Sequence, residues 1–137
     1  DLVVSANFAW IRSRVTLSQA QVMTATSKQR PLAGQSPYVA NLSLGYSLSD
    51  TGLSLNLFYN VFGRRILEVG RLGLPDSCEE PFHSLDFTAS YQLDPHWTVG
   101  MSASNLLLQE AVIDQGEFDF SRIDRGTSVG VRLGFVN

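Results

Sequence analysis

Few side chains in this 137-residue chain have the residue types and spacing that catalysis or metal binding needs. Carboxylate-rich loops can bind calcium. Seven acidic residues form two groups, Asp76, Glu79 and Glu80, and Asp114, Glu117, Asp119 and Asp124. Their spacing matches no calcium-binding loop, so we expect solvated acidic loops, with calcium binding as the alternative. His83 and His96 have no ligand partner at a useful spacing, which predicts no metal site.

The single cysteine, Cys78, excludes an internal disulfide and has no flanking His or Asn arrangement that would make it a nucleophile. We expect a free thiol in a loop, or else a bond to another chain. The sequence contains no phosphate-binding glycine loop, nucleophile elbow or metal-protease helix. It therefore predicts neither an enzyme nor a cofactor. The net charge of −3 gives no electrostatic basis for binding nucleic acid.

The elements that position these residues are strands, because apolar and small polar residues alternate along most of the chain. Six strands are predicted, at 2–15, 38–48, 53–63, 85–93, 97–107 and 125–136. The connections after the first, third and fifth strands are each about 15–20 residues, far above the usual hairpin length. Those at 49–52 and 94–96 have tight-turn composition. Segments 22–26 and 66–69 are weak candidates for further strands.

The alternation of long and short connections predicts a transmembrane β-barrel, with long loops outside the cell and short periplasmic turns. No segment reaches the roughly 20 apolar residues of a membrane helix. A half-buried antiparallel sheet of an ordinary β protein is the alternative. Six strands are too few to close a barrel, since the smallest have about eight. We therefore expect an all-β segment of a larger antiparallel barrel, whose edge strands pair with the remaining strands.

Aromatic residues on the apolar face favour the membrane interpretation, because Tyr and Trp prefer membrane–water interfaces. The outer row contains Trp10, Tyr38 and Tyr59. The inner row contains Tyr46, Tyr91, Trp97 and Phe135. Two such rows separated by Leu, Val and Ala are typical of the two aromatic girdles of a barrel.

Arginines near the outer strand ends have the parity of the lipid-facing side, namely Arg12, Arg14, Arg65 and Arg125. Guanidinium groups bind phosphates well, which predicts contacts with lipopolysaccharide. Extension into solvent at the interface is the alternative. Arg132 has the parity of the polar face, where it either pairs with an acidic plug residue or is solvated.

Five segments together resemble the C-terminal end of TonB-dependent outer-membrane receptors. They are Arg30 to Val39, Tyr59 to Ile66, Pro81 to Asp86, Asn105 to Leu107, and Gly130 to Phe135. The last resembles the signal that the barrel-assembly machinery reads, through Gly130, Leu133 and Phe135, although Val136 and Asn137 follow the aromatic residue.

The resemblance implies the last six strands of a barrel of about 22 strands filled by an N-terminal plug. It implies import of a scarce ligand across the bacterial outer membrane, energised by TonB. The ligand classes are siderophore-bound iron, cobalamin and oligosaccharides. The implied partners are the remaining strands and plug, outer-membrane lipid, TonB and the assembly machinery. A small independent or scaffold-type barrel protein without active transport is the alternative.

Overall fold

The computed structural model describes residues 1–18 and 26–136, which form antiparallel sheets and contain no helix. The predicted all-β, antiparallel fold class is therefore confirmed. The strands are β1 (Leu2–Trp10), β2 (Val15–Thr16), β3 (Gln29–Arg30), β4 (Tyr38–Leu48), β5 (Leu53–Phe62), β6 (Arg65–Glu68), β7 (Ser77–Glu79), β8 (Phe82–Gln92), β9 (Trp97–Ser104), β10 (Ala111–Gln115), β11 (Phe118–Ile123) and β12 (Ser128–Phe135). Nowhere in these two ranges does the chain form a helix long and apolar enough to cross a membrane.

The largest sheet has six strands in the order β1-β4-β5-β8-β9-β12, and each strand is antiparallel to its neighbours. These are the six strands that the alternating pattern predicts. Residues 49–52 and 93–96 make the short connections, and 11–37, 63–81 and 105–127 make the long ones. The sheet is not closed, because β1 and β12 each have one hydrogen-bonded neighbour.

The strand registers place the predicted apolar residues of all six strands on one face. One row across the sheet contains Val4, Leu44, Leu57, Phe87, Ala103 and Val129. The opposite face has rows such as Gly45, Asn56, Thr88, Ser102 and Gly130. Because a slip of one residue would exchange the two faces, all five pairings must keep the faces that the alternation predicts.

Several strand ends differ from the predicted ones, and local backbone chemistry explains two of them. The first strand ends at Trp10 rather than at Val15. Ile11 donates its N–H to Pro37 O at 2.9 Å, but proline has no N–H to continue the ladder. The fifth predicted strand ends at Ser104 because Asn105 adopts a left-handed backbone with φ 55°.

The other ends move by a few residues. The fourth predicted strand begins three residues earlier, at Phe82, because Phe82 pairs with Phe62 at the end of β5. The last predicted strand covers only Ser128–Phe135.

The long connections contain short strands rather than irregular loops. Parts of the second and third connections form a four-stranded sheet in the order β11-β10-β7-β6, and β2 pairs with β3 within the first. The weak strand candidate at 66–69 corresponds to β6, although β6 joins this second sheet and not the large one. The candidate at 22–26 lies outside the described residues except for Thr26.

The buried apolar side chains lie where the long connections meet the large sheet. Within the described ranges they are Val61, Ile66, Cys78, Phe82, Ala103 and Ala111. The middle of the apolar face is exposed instead, as Leu44 and Met101 illustrate at 41% and 44% exposure. The core therefore joins the two sheets at one end and leaves the apolar face of the large sheet uncovered.

Candidate functional site at the long-connection end

The first two segments of the family resemblance contact each other at the base of the long connections. Gly63 donates its N–H to Tyr38 O at 3.0 Å and accepts a hydrogen bond from Ser36 Oγ at 2.9 Å. Gly34 donates to Ile66 O at 2.7 Å. A Cβ on Gly63 would lie 2.6 Å from the Tyr38 ring, so only glycine fits there without a shift. These bonds fix the start of β4 against the end of β5.

Asn105, in the fourth segment, joins three strands through hydrogen bonds. Its backbone N–H donates to Asp86 Oδ1 on β8 at 2.9 Å, and its side-chain amide donates to Gly126 O at 2.9 Å. Thr127, just before β12, donates to Asn105 O at 3.1 Å. Gln109 similarly joins His83 N and Pro81 O at 2.8 Å and 2.9 Å. The third and fourth segments are thus also fixed at the long-connection end.

All four arginines predicted to contact lipopolysaccharide lie outside the six-stranded sheet, so the parity assigned to them does not apply. Arg65 stacks on Phe62, with Cζ 4.4 Å from the ring centroid, and Arg125 stacks on Phe82 at 5.0 Å. Both rings belong to the face opposite the leucine rows. The parity assignment is wrong because β5 ends before Arg65 and β12 begins after Arg125, so strand alternation is interrupted. Contact with lipopolysaccharide stays a prediction.

The predicted solvated acidic loops are partly wrong, because ion pairs order several of these carboxylates. Glu79 is 7% exposed and accepts hydrogen bonds from Arg65 at 2.6 Å. Arg64 pairs with Glu80 at 2.7 Å and with Asp114. Burial opposes ionisation of Arg64, but the hydrogen bond and charge of Asp114 outweigh it and raise its pKa. The pair of Arg64 with Asp114 links the start of the β6–β7 hairpin to β10 across a sequence separation that no local pattern reveals.

Of the remaining acidic residues, Asp76 is half-buried, and the other three are exposed, namely Glu117, Asp119 and Asp124. Asp76 Oδ1 accepts the N–H of Gly70 at 2.7 Å, and Asp119 pairs with exposed Arg122 at 2.5 Å. Among residues 1–18 and 26–136, no three His, Cys, Asp or Glu side chains cluster as metal ligands would.

Cys78 is a buried free thiol on β7, so its predicted place in a loop is wrong. Burial raises the pKa of the Cys78 thiol, and nearby carboxylates, including Asp114, add to the rise against the opposing charge of Arg64. A thiol with a raised pKa is a weak nucleophile at neutral pH.

The histidines have polar partners that the sequence did not indicate. His83 lies on the apolar face, where its Nδ1 is 2.6 Å from the hydroxyl of Tyr59. His96 Nδ1 is 3.1 Å from Val136 O.

The aromatic residues lie on the apolar face at its two opposite ends. Trp10 and Tyr38 are directly opposite each other where β1 and β4 meet the first long connection, with Tyr59 toward the same end. The second row lies toward the short connections and contains Tyr46, Tyr91, Trp97 and Phe135. The rings of Trp97 and Phe135 are 4.9 Å apart. Their role as membrane girdles stays a prediction.

Strand β12 carries the residues of the proposed assembly signal on an open edge. Leu133 and Phe135 lie on the apolar face, opposite Val99 and Trp97, and Gly130 lies on the polar face, opposite Ser102. Arg132 lies opposite Gly100 on the polar face, where a Cβ on Gly100 would be 3.6 Å from Arg132 Nε. In the described part of the chain Arg132 makes no ion pair.

A cavity of about 780 Å³ lies beyond the ends of β1, β4 and β5. We call it the arginine cavity, because five arginines line it, namely Arg12, Arg14, Arg30, Arg64 and Arg65. Among the residues that the structure describes, Asp76 is the one acidic residue in its lining. The sequence did not predict this site, since its arginines come from segments far apart in the chain.

No family model, curated protein or solved structure matches this chain.

Proposed function

We propose that this chain is part of the barrel domain of a TonB-dependent outer-membrane receptor that imports a scarce ligand. Its six-stranded sheet would be a segment of a larger barrel in the bacterial outer membrane. The plug and the segment that TonB binds would lie elsewhere in the receptor.

The continuous apolar face of the large sheet carries this proposal. Leucine, valine and aromatic residues occupy it on all six strands, and no second sheet or helix of the described residues covers its middle. Val131, on β12, is 78% exposed. An apolar surface this continuous is unusual on a protein surrounded by water, and hydrocarbon would cover it. The alternative of an ordinary half-buried sheet needs a covering layer on this face.

The open edges support a barrel larger than these six strands. The outer edges of β1 and β12 present unpaired backbone N–H and C=O groups, each of which costs several kcal/mol in hydrocarbon. Pairing with further strands removes that cost. The polar face, with its serine, threonine, asparagine and glycine rows, suits a hydrated lumen in contact with a plug.

Fractionation of cells that produce the native protein tests the proposal. An antibody against this chain should detect, in the outer membrane, a polypeptide far larger than 15.1 kDa or a tightly associated companion fragment. Cells lacking TonB should retain the protein but lose uptake of its ligand. A species of 15.1 kDa that forms a monomeric barrel alone would contradict the proposal and favour a small independent barrel. Recovery with the water-soluble proteins would reject both.

A further inference from the structure

We propose that the arginine cavity binds a small soluble ligand carrying more than one carboxylate or phosphate group. This inference rests on the proposed receptor function, since it names the chemical class of the imported ligand. It favours an anionic ligand over a neutral oligosaccharide.

The first observation is an excess of positive charge in the cavity. Arg64 pairs with two carboxylates, Glu80 and Asp114, and Arg65 pairs with Glu79. The other three arginines of the cavity have no carboxylate within ion-pair distance in the described part of the chain: Arg12, Arg14 and Arg30. Segment 19–25 cannot neutralise them, because it contains no acidic residue. Five arginines against four carboxylates, namely Asp76 in the lining and the paired Glu79, Glu80 and Asp114, still leave the cavity net positive although the chain has a net charge of −3.

The second observation is polar atoms without partners in the cavity lining. Arg30 Nε and Gln35 Oε1 are buried, and neither has a hydrogen-bond partner among residues 1–18 and 26–136. A buried donor of a charged group costs free energy until an acceptor reaches it. An anionic oxygen would satisfy Arg30, and a hydroxyl on the same ligand would satisfy Gln35.

The shape of the cavity favours a small soluble molecule over the phosphates of a lipid. Its volume of about 780 Å³ is in the range of small-molecule sites. Its walls come from three separate parts of the chain, represented by Arg12, Arg30 and Arg64, so arginines from different segments line one cavity. Several guanidinium groups around one volume suit a ligand with several oxygen anions.

Binding to the purified intact protein tests this inference. Isothermal titration calorimetry at constant ionic strength would use citrate and pyrophosphate as anionic probes and trehalose as a neutral probe. We expect at least one anion to bind and trehalose not to bind. The double variant Arg12→Gln/Arg14→Gln should weaken anion binding about tenfold or more, since each charge-assisted hydrogen bond contributes at least that factor. Both residues are exposed, so the variant should fold.

Arg71→Gln is the matched control, because Arg71 is exposed, carries the same charge and does not line the cavity. It should change the affinity less than twofold. Equal losses in both variants, or binding of trehalose alone, would overturn the inference. Binding only to vesicles that contain lipopolysaccharide would also overturn it, and would assign the arginines to lipid phosphates.

Anion binding without TonB-dependent uptake would leave the inference standing and reject the receptor function. If the double variant takes up the ligand at an unchanged rate, the receptor function stands and the anion-binding inference is rejected.

Discussion

The two larger sheets of this protein are stabilised by different interactions. The six-stranded sheet contains only three acidic, basic or histidine side chains, namely His83, Asp86 and Arg132. In contrast, every ion pair seen in the described ranges lies in the second sheet or beside it. Backbone hydrogen bonds between strands stabilise both sheets, and ion pairs stabilise the second sheet in addition.

The proposed membrane location would explain this difference by two solvents, hydrocarbon around the large sheet and water around the second. Placing a charged side chain in hydrocarbon costs free energy, whereas antiparallel strands pair their backbone N–H and C=O groups without any charged side chain. Where water reaches the long connections, guanidinium and carboxylate groups can pair and stay partly solvated. The charge distribution thus divides the molecule at the ends of the six strands.

The largest expected effect comes from placing a charge on the apolar face. Leu57→Arg should destabilise the protein by roughly 2–4 kcal/mol, because Leu57 lies in the middle row of the apolar face and its substitute would face lipid in the proposed barrel. A denaturant titration of the intact protein in lipid vesicles measures this loss. Asn56→Arg is the matched control, since its neighbouring position faces the polar side, and it should cost much less. Equal penalties would contradict the assigned faces.

A smaller effect is expected from breaking the buried ion pair of the second sheet. Arg65→Met leaves Glu79 buried without its partner, which should lower local stability by about 1–3 kcal/mol. Hydrogen exchange of the β6 and β7 amides measures it. Arg122→Met removes an exposed pair with Asp119 and should leave the exchange rates unchanged. If the two variants behave alike, burial of Glu79 has no energetic consequence.

The smallest effect concerns pH. Because the pKa of Cys78 is raised in the folded protein, its stabilising contribution is complete below the unfolded thiol pKa of about 8.5. It is lost as the pH rises through the folded value. The protection factors of the amides in the second sheet, which correct for the intrinsic rise of exchange with pH, should therefore fall above that range in the native protein and less in Cys78→Ala. Alkylation of Cys78 at the same rate in folded and unfolded protein would contradict the burial that causes the shift.

Sequence alternation predicted the large sheet because the side chains of a strand change face at every residue. The faces agree across all six strands, in the row that begins at Val4 on β1 and ends at Val129 on β12. The second sheet was missed, apart from the segment that became β6. Its strands are short, and β7 has only three residues, too few for a period to appear. The pairing of Arg64 with Asp114 and the arginine cavity depend on how the connections fold, which alternation does not encode.

Hydrogen bonds from side chains hold the bases of the long connections in place, and they allow the sequences of the connections to vary. Ser36 is tied to Gly63, Gln109 to Pro81, and Asn105 to Gly126. Beyond these anchors, insertions or exchanges of sequence need not disturb strand register. The tips can therefore acquire new chemical preferences while the scaffold beneath them keeps its geometry.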